Sequence, residues 1–123
     1  MRVLPTRIHG VVDYLWGLTL LAVPWALGFA DWSAAHWTAL AFGAGAILYS
    51  LVTDYELGAA PILSMPLHLA VDGFGGAFLV ASPWLLGFAD RIAWPHVAFG
   101  LFSVAAGLIT RKLPERGPRL RRA

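Results

Sequence analysis

Two stretches decide the reading of this chain: HGVVDYLWGLTLLAVPWALGFAD at 9–31 and HLAVDGFGGAFLVASPWLLGFAD at 68–90, which coincide when the sequence is shifted by 59 residues. Thirteen of the 23 positions are identical. Placed on a helix at about 100° per residue, the identical residues up to the proline cover an arc of roughly 140°. They are His9, Val12, Asp13, Gly17, Leu20 and Pro24, with only Ala22 outside the arc. In the second copy they are His68, Val71, Asp72, Gly76, Leu79 and Pro83. One helix face is kept and the other has drifted. The kept face carries a histidine, an aspartate and a small residue suited to close backbone approach, so the first and third helices are expected to turn it into a bundle.

Outward from the repeat, composition names the solvent. Hydrophobic residues make up 59% of the 123 and charged residues 13%, whereas an ordinary soluble domain is about 25% charged. So few charges cannot coat a small globule, and a disordered chain would be poor in apolar groups. The absence of cysteine excludes disulfides, thiolate metal sites and cysteine nucleophiles. Four windows, about 8–30, 36–53, 67–89 and 95–110, approach the ~20 apolar residues that a span needs. Their separators are DWSAA (31–35), TDYELGAAPILSMP (53–66) and DRIAW (90–94), none a soluble domain. The expected fold is all-α, a four-helix transmembrane bundle in one membrane domain. Repeat 1 covers about 8–53, repeat 2 about 67–110, and a basic tail 111–123. Two helices per unit make the copies parallel.

Basic residues orient the bundle. Arg2 and Arg7 precede the first window; Arg111, Lys112, Arg116, Arg119, Arg121 and Arg122 follow the last; only Arg91 falls on the other side. Both termini are therefore expected in the cytoplasm. Trp25, Trp32, Trp37, Trp84 and Trp94 then map to the outer interface. Gly28-Phe29-Ala30 before Asp31 imitates a signal-peptide cleavage site. The same Gly-Phe-Ala-Asp recurs at 87–90, so the first segment is read as retained.

After the proline nearly every residue is shared: Pro24-Trp25-x-Leu-Gly28-Phe-Ala-Asp31 and Pro83-Trp84-x-Leu-Gly87-Phe-Ala-Asp90. The prolines remove the hydrogen bonds to Leu20 and Leu79, the glycines offer a helix stop, and the aspartates suit a turn or cap. Two geometries satisfy this, a kinked helix ending at the outer surface or a break with Ser82 capping a short helix. The repeated Pro-Trp motif, Ser82-Pro83-Trp84 in the second copy and Val23-Pro24-Trp25 in the first, resembles the SPW repeat of small bacterial membrane proteins. The resemblance spans about 8–110 and implies two spans per repeat, with the motif in the first. It implies a bacterial cytoplasmic membrane and no activity.

The chemistry is confined to a few residues. His9/Asp13 and His68/Asp72 are i,i+4 pairs, in which an imidazole one turn away can hold a buried carboxylate ionised. They form the candidate intramembrane polar site, either a doubled proton or cation site or a polar tie between helices. His36 and His96 open the second and fourth windows and are the weaker candidate ligands, with no metal assigned. Paired histidines at matched depths also raise bis-histidine haem ligation and zinc, neither supported by a motif. Gly73, Gly75 and Gly76 in DGFGGA, with Gly43 and Gly45, are expected to pack helices closely, since no phosphate-loop lysine follows. Enzyme signatures are missing (no GxSxG, HExxH or GxGxxG), so no catalytic residue is assigned. The tail lacks the aromatic platform of a nucleic-acid binder and suits anionic lipid. Three functions fit: a non-enzymatic structural, oligomeric or accessory module, expected as a homo-oligomer or a subunit of a larger complex; a small transporter or channel element; and a haem or metal protein with no other cofactor.

Overall fold

A computed structural model describes residues 1–120. Arg121 and Arg122, assigned above to the basic tail, lie outside the described residues. Four helices are formed, α1 Thr6–Ala26, α2 Ala34–Leu51, α3 Met65–Leu85 and α4 Trp94–Ile109, with no strand among the described residues. α1 packs chiefly on α2 and α3 chiefly on α4, while lighter contacts of α2 with α3 and of α1 with α4 join the two hairpins.

Glycine sets the closeness of each hairpin. A Cβ added to Gly43 would lie 2.8 Å from the carbonyl oxygen of Gly17, and one added to Gly100 would lie 2.6 Å from that of Gly76. Backbone therefore meets backbone at both crossings, where any larger residue must separate the helices. The expectation for the other glycines is corrected. Gly45 and Gly73 face open space, and Gly75 meets only Phe42 at an ordinary 3.7 Å, because all three lie off the crossing face. One face residue is corrected as well: Val71, at the edge of its arc, is exposed.

The repeated Pro-Trp segment is a helix terminus. α1 and α3 run through Pro24 and Pro83 and stop two residues later, so the separate short helix capped by Ser82 does not form. Gly28 and Gly87 take φ of 76° and 75°, the left-handed conformation that glycine adopts without a Cβ penalty. The Phe29 N–H donates to Pro24 C=O and the Phe88 N–H to Pro83 C=O, both at 2.8 Å, closing a Schellman turn. Phe29 and Phe88 then fold inward and are buried, while Trp25 and Trp84 point outward. The serine of the motif has a local role too. Its hydroxyl donates to Leu79 C=O at 2.7 Å, the carbonyl that Pro83, lacking an N–H, leaves without its helical donor. Val23 holds the matching place in the first copy and has no hydroxyl.

The molecule is polar inside and apolar outside. Leu15, Leu18, Leu48, Phe74, Phe78, Leu101 and Leu108 are exposed, whereas His9, Asp13, Thr53, His68, Asp72 and Thr110 are buried. That inversion suits lipid as the surrounding medium. α2 and α3 are long and apolar enough to cross a membrane; α4 is apolar but has 16 residues. α1 equals α3 at 21 residues but carries Arg7, His9 and Asp13 in its first turns. At the Pro-Trp end the core is Leu20, Val23, Phe29, Ala35, Ala39, Leu79 and Phe88. At the opposite end it is built around histidine, aspartate and tyrosine.

Candidate functional site

The spacing of four puts His9 above Asp13 on α1 and His68 above Asp72 on α3, and the helices bring the two pairs face to face. His9 Nε2 lies 3.1 Å from Asp13 Oδ1 in its own helix and 3.0 Å from Asp72 Oδ2 in the other. His68 Nε2 lies 3.2 Å from Asp13 Oδ2 and 3.5 Å from Asp72 Oδ2. The two Nε2 atoms are 3.2 Å apart. Both histidines are fully buried, and Asp13 and Asp72 nearly so.

Hydroxyl groups determine which ring nitrogens carry protons. Thr110 donates its one hydroxyl hydrogen to Ala106 C=O at 2.6 Å, so toward His9 Nδ1, 2.7 Å away, it can only accept. Thr53 likewise donates to Tyr49 C=O at 2.6 Å and accepts from His68 Nδ1 at 2.8 Å. Both rings therefore hold their hydrogen on Nδ1 and turn Nε2 toward the centre. The carboxylates are oriented in turn: Tyr55 donates to Asp13 Oδ2 at 3.0 Å, and Tyr49 donates to Asp72 Oδ1. Asp72 Oδ2 makes no hydrogen bond, although His9 Nε2 lies 3.0 Å from it.

Two backbone bridges close the surround, Leu4 to Thr110 and Leu63 to Thr53. Leu4 and Leu63 are 59 residues apart, like the histidines, whereas Thr53 and Thr110 are 57 apart, like Gly43 and Gly100. His36 and His96, 60 apart, thus do not mark the register in which the second helices pack. The threonines and tyrosines are the site residues that sequence reasoning missed. The threonines end the second and fourth apolar windows and pair only at the 57-residue offset; the tyrosines have no counterpart at that offset.

Over the site lies the 53–64 loop, held by the chain's C-terminal part. Arg116 pairs with Asp54 at 2.9 Å, and the backbone N–H groups of Arg119 and Leu120 donate to Asp54 Oδ2 at 2.6 and 2.8 Å. Glu56 accepts from the Thr6 hydroxyl and the Glu115 N–H, both at 2.7 Å. Burial pushes the Asp54 carboxyl up, but the Leu120 N–H, the Arg116 guanidinium and the Arg119 N–H outweigh it and hold it below the usual carboxylate range. Glu56 is held down against burial in the same way by Thr6, local backbone N–H groups and Arg116. Arg2 donates to Gly107 C=O and Thr110 C=O, both at 2.8 Å, capping the end of α4. Arg116 and Arg2 are thus engaged with protein, while Arg111 and Lys112 stay exposed.

The remaining candidates lie apart from this centre. His36 accepts from the Trp32 N–H at 2.9 Å and stacks on the Trp32 ring, with centroids 4.6 Å apart. His96 donates from Nε2 to Ala35 C=O at 3.0 Å and sits between Phe29 and Phe88. Among the described residues only His9, Asp13, His68 and Asp72 gather as a possible ligand set, their ligating atoms all within 4.8 Å of one another. A haem does not fit between His9 and His68, because nitrogens 3.2 Å apart leave no slot for a macrocycle. Asp31 pairs with Arg91 between the α1–α2 and α3–α4 loops, and Asp90 is exposed.

The family model of the SPW repeat domain matches residues 7–110. No curated protein and no solved structure matches the chain.

Proposed function

The chain belongs to the SPW repeat domain family, and on that premise we propose that it is a non-enzymatic, multi-pass module of the bacterial cytoplasmic membrane. Its two parallel hairpins, tandem copies of one unit within a single membrane domain, are locked together by the His–Asp quartet. All four helices cross the bilayer with both termini cytoplasmic. α4, at ~24 Å for its 16 residues, is the shortest, and Trp94 and Arg111 at its ends anchor it to the two interfaces. The observation that carries the reading is the crossed contact: each histidine lies against the aspartate of the other hairpin as closely as against its own.

Buried charges facing one another across helices hold a bundle in one arrangement, because separating them strands ions in hydrocarbon. The exposed Arg111 and Lys112 suit anionic headgroups at the cytoplasmic surface. Open apolar grooves between the hairpins, one of ≈ 430 Å³ lined by Leu15, Trp16 and Phe99 among others, suit lipid chains or a further copy of the chain. No nucleic-acid or catalytic role is assigned. Replacing Asp13 and Asp72 together by Asn should loosen the hairpins, read as faster proteolysis and a lost oligomer in mild detergent. Unchanged assembly would overturn the proposal.

One observation favours a second reading, a proton or cation pathway element. A crevice of ≈ 10 Å³ reaches Asp13 and Asp72 past Val12, Trp16 and Ala106, room for about one water. Flux in liposomes that disappears in the Asp→Asn variants, with assembly intact, would select it.

A further inference from the structure

We infer that the quartet is a metal site: His9 Nε2, His68 Nε2 and one oxygen each of Asp13 and Asp72 bind one divalent transition-metal ion, of the borderline class that includes zinc, in a tetrahedral N₂O₂ set. The inference deepens the proposed function and rests on it, since the ion would sit at the junction that locks the hairpins.

Three observations point to a cation rather than to a finished hydrogen-bond network. The first is the tautomer. With Nδ1–H directed at Thr53 and Thr110, whose own hydrogens are already given to carbonyls, the rings turn both Nε2 atoms to one point, where each offers a lone pair once its Nε2 carries no proton. Two lone pairs 3.2 Å apart, facing two carboxylates, repel unless a proton or a metal ion lies between them, and only the metal ion can engage all four residues at once. The second is Asp72 Oδ2, on a side chain only 4% exposed, which is aimed into the cluster and makes no hydrogen bond. Such an atom needs a partner. The third is size. His9 Nε2, His68 Nε2 and Asp72 Oδ2 lie 3.0, 3.2 and 3.5 Å apart, Asp13 offers Oδ1 to His9 at 3.1 Å and Oδ2 to His68 at 3.2 Å, and one ligating atom from each residue falls within 4.8 Å of all the others. A regular tetrahedron with zinc-type bonds of about 2.0–2.1 Å has edges of about 3.3–3.4 Å.

Charge and surroundings agree. Two carboxylates with two neutral imidazoles neutralise a divalent ion, which suits a medium of low dielectric constant. Imidazole nitrogens disfavour calcium and magnesium, which take six or more oxygen ligands or retain water. Outer partners of the kind that orient ligands are present: a threonine on each Nδ1–H, Tyr49 on Asp72 and Tyr55 on Asp13. The crevice beside Asp13 and Asp72 gives an entry path.

The test uses the full chain with a histidine-free tag, purified in mild detergent without chelator from zinc-supplemented cells. Elemental analysis should find about one zinc per chain. After chelator treatment, cobalt(II) should bind with the intense visible bands of a tetrahedral centre, and Asp72→Asn should abolish them. Should Asp72→Asn not fold, Thr110→Val keeps all four ligands; it should weaken zinc binding about 10–100-fold yet reach the same stoichiometry at saturation. A folded wild-type chain with no stoichiometric metal and no tetrahedral cobalt bands would overturn the inference. If that metal-free chain still loses assembly on double Asp→Asn substitution, only the metal assignment falls. If stoichiometric metal is found in a chain whose Asp→Asn variants assemble normally, only the locked-module reading falls.

Discussion

At the inner end of the bundle the two copies of the repeat meet through His9, Asp13, His68 and Asp72; at the outer end they meet through Leu20, Leu79, Phe29 and Phe88. The inner contacts are directional. Each histidine meets an aspartate oxygen of the other copy and has a threonine hydroxyl behind it, while both tyrosines that orient the carboxylates, Tyr49 and Tyr55, precede α3. At the outer end these apolar residues are identical in the two copies, and it is the polar groups around them that have diverged. Ser82 faces Val23 in register, His36 accepts a hydrogen bond where His96 donates one, and Asp31 has an arginine that Asp90 lacks. Apolar residues that must fit one another keep the symmetry of the duplicated fold at the outer end, and polar groups keep it only where both copies share one centre.

The comparison breaks most readily at the inner end. Asp13→Ala and Asp72→Ala should each destabilise the bundle by about 3–5 kcal/mol, since each leaves its partners buried and unpaired. Denaturant unfolding in micelles, followed by helical circular dichroism, measures this. Near-equal losses are expected, and a tenfold difference in unfolding constant between the two would refute the equivalence of the halves. Leu20→Ala and Leu79→Ala at the outer end should cost about 2–4 kcal/mol through the cavities left behind. There the paired values are free to differ. Ser82→Ala, which strips Leu79 C=O of its donor, should cost about 1–2 kcal/mol, whereas Val23→Ala should show only the loss of apolar volume. Arg91→Gln should change stability by no more than about 0.5 kcal/mol, because its pair with Asp31 is exposed to solvent.

The smallest effect concerns the chain's C-terminal part. Asp54 and Glu56 are both held below the usual carboxylate range, so the clasp they make is complete above the ordinary pKa values of about 3.9 and 4.3. It is lost as pH falls through the lowered values. Limited proteolysis of the segment around Arg116, scanned toward low pH, should show cleavage rising only below about pH 4. Asp54→Asn should already be cleaved at neutral pH.

Much of this was legible in the residues. The helix windows follow from apolar runs, and the inward face from what the two copies share, because a buried face tolerates less change than one in lipid. Legibility fails where a role depends on tertiary closure. Tyr49, Thr53, Tyr55 and Thr110 read as ordinary interfacial residues until the hairpins are docked. The 57-residue offset is hidden because Gly43 follows His36 by seven residues and Gly100 follows His96 by four, so the histidines fall out of phase with the glycines. Gly45, Gly73 and Gly75 were misread because composition marks small residues without marking the crossing face. By the test of length and composition two helices qualify as spans, where the apolar windows suggested four. The polar groups that disqualify α1 are the ones the bundle encloses.

The bridge from Leu4 to Thr110 has a consequence for biosynthesis. Leu4 leaves the ribosome long before its partner does, and His9 waits equally long for the threonine hydroxyl that sets its tautomer. During synthesis the first hairpin therefore forms with an incomplete centre, its Asp13 still without His68 of the second. Only when α4 has followed can the centre close. A nascent chain stalled after α3 would have the quartet and both tyrosines but leave His9 Nδ1 without its threonine partner.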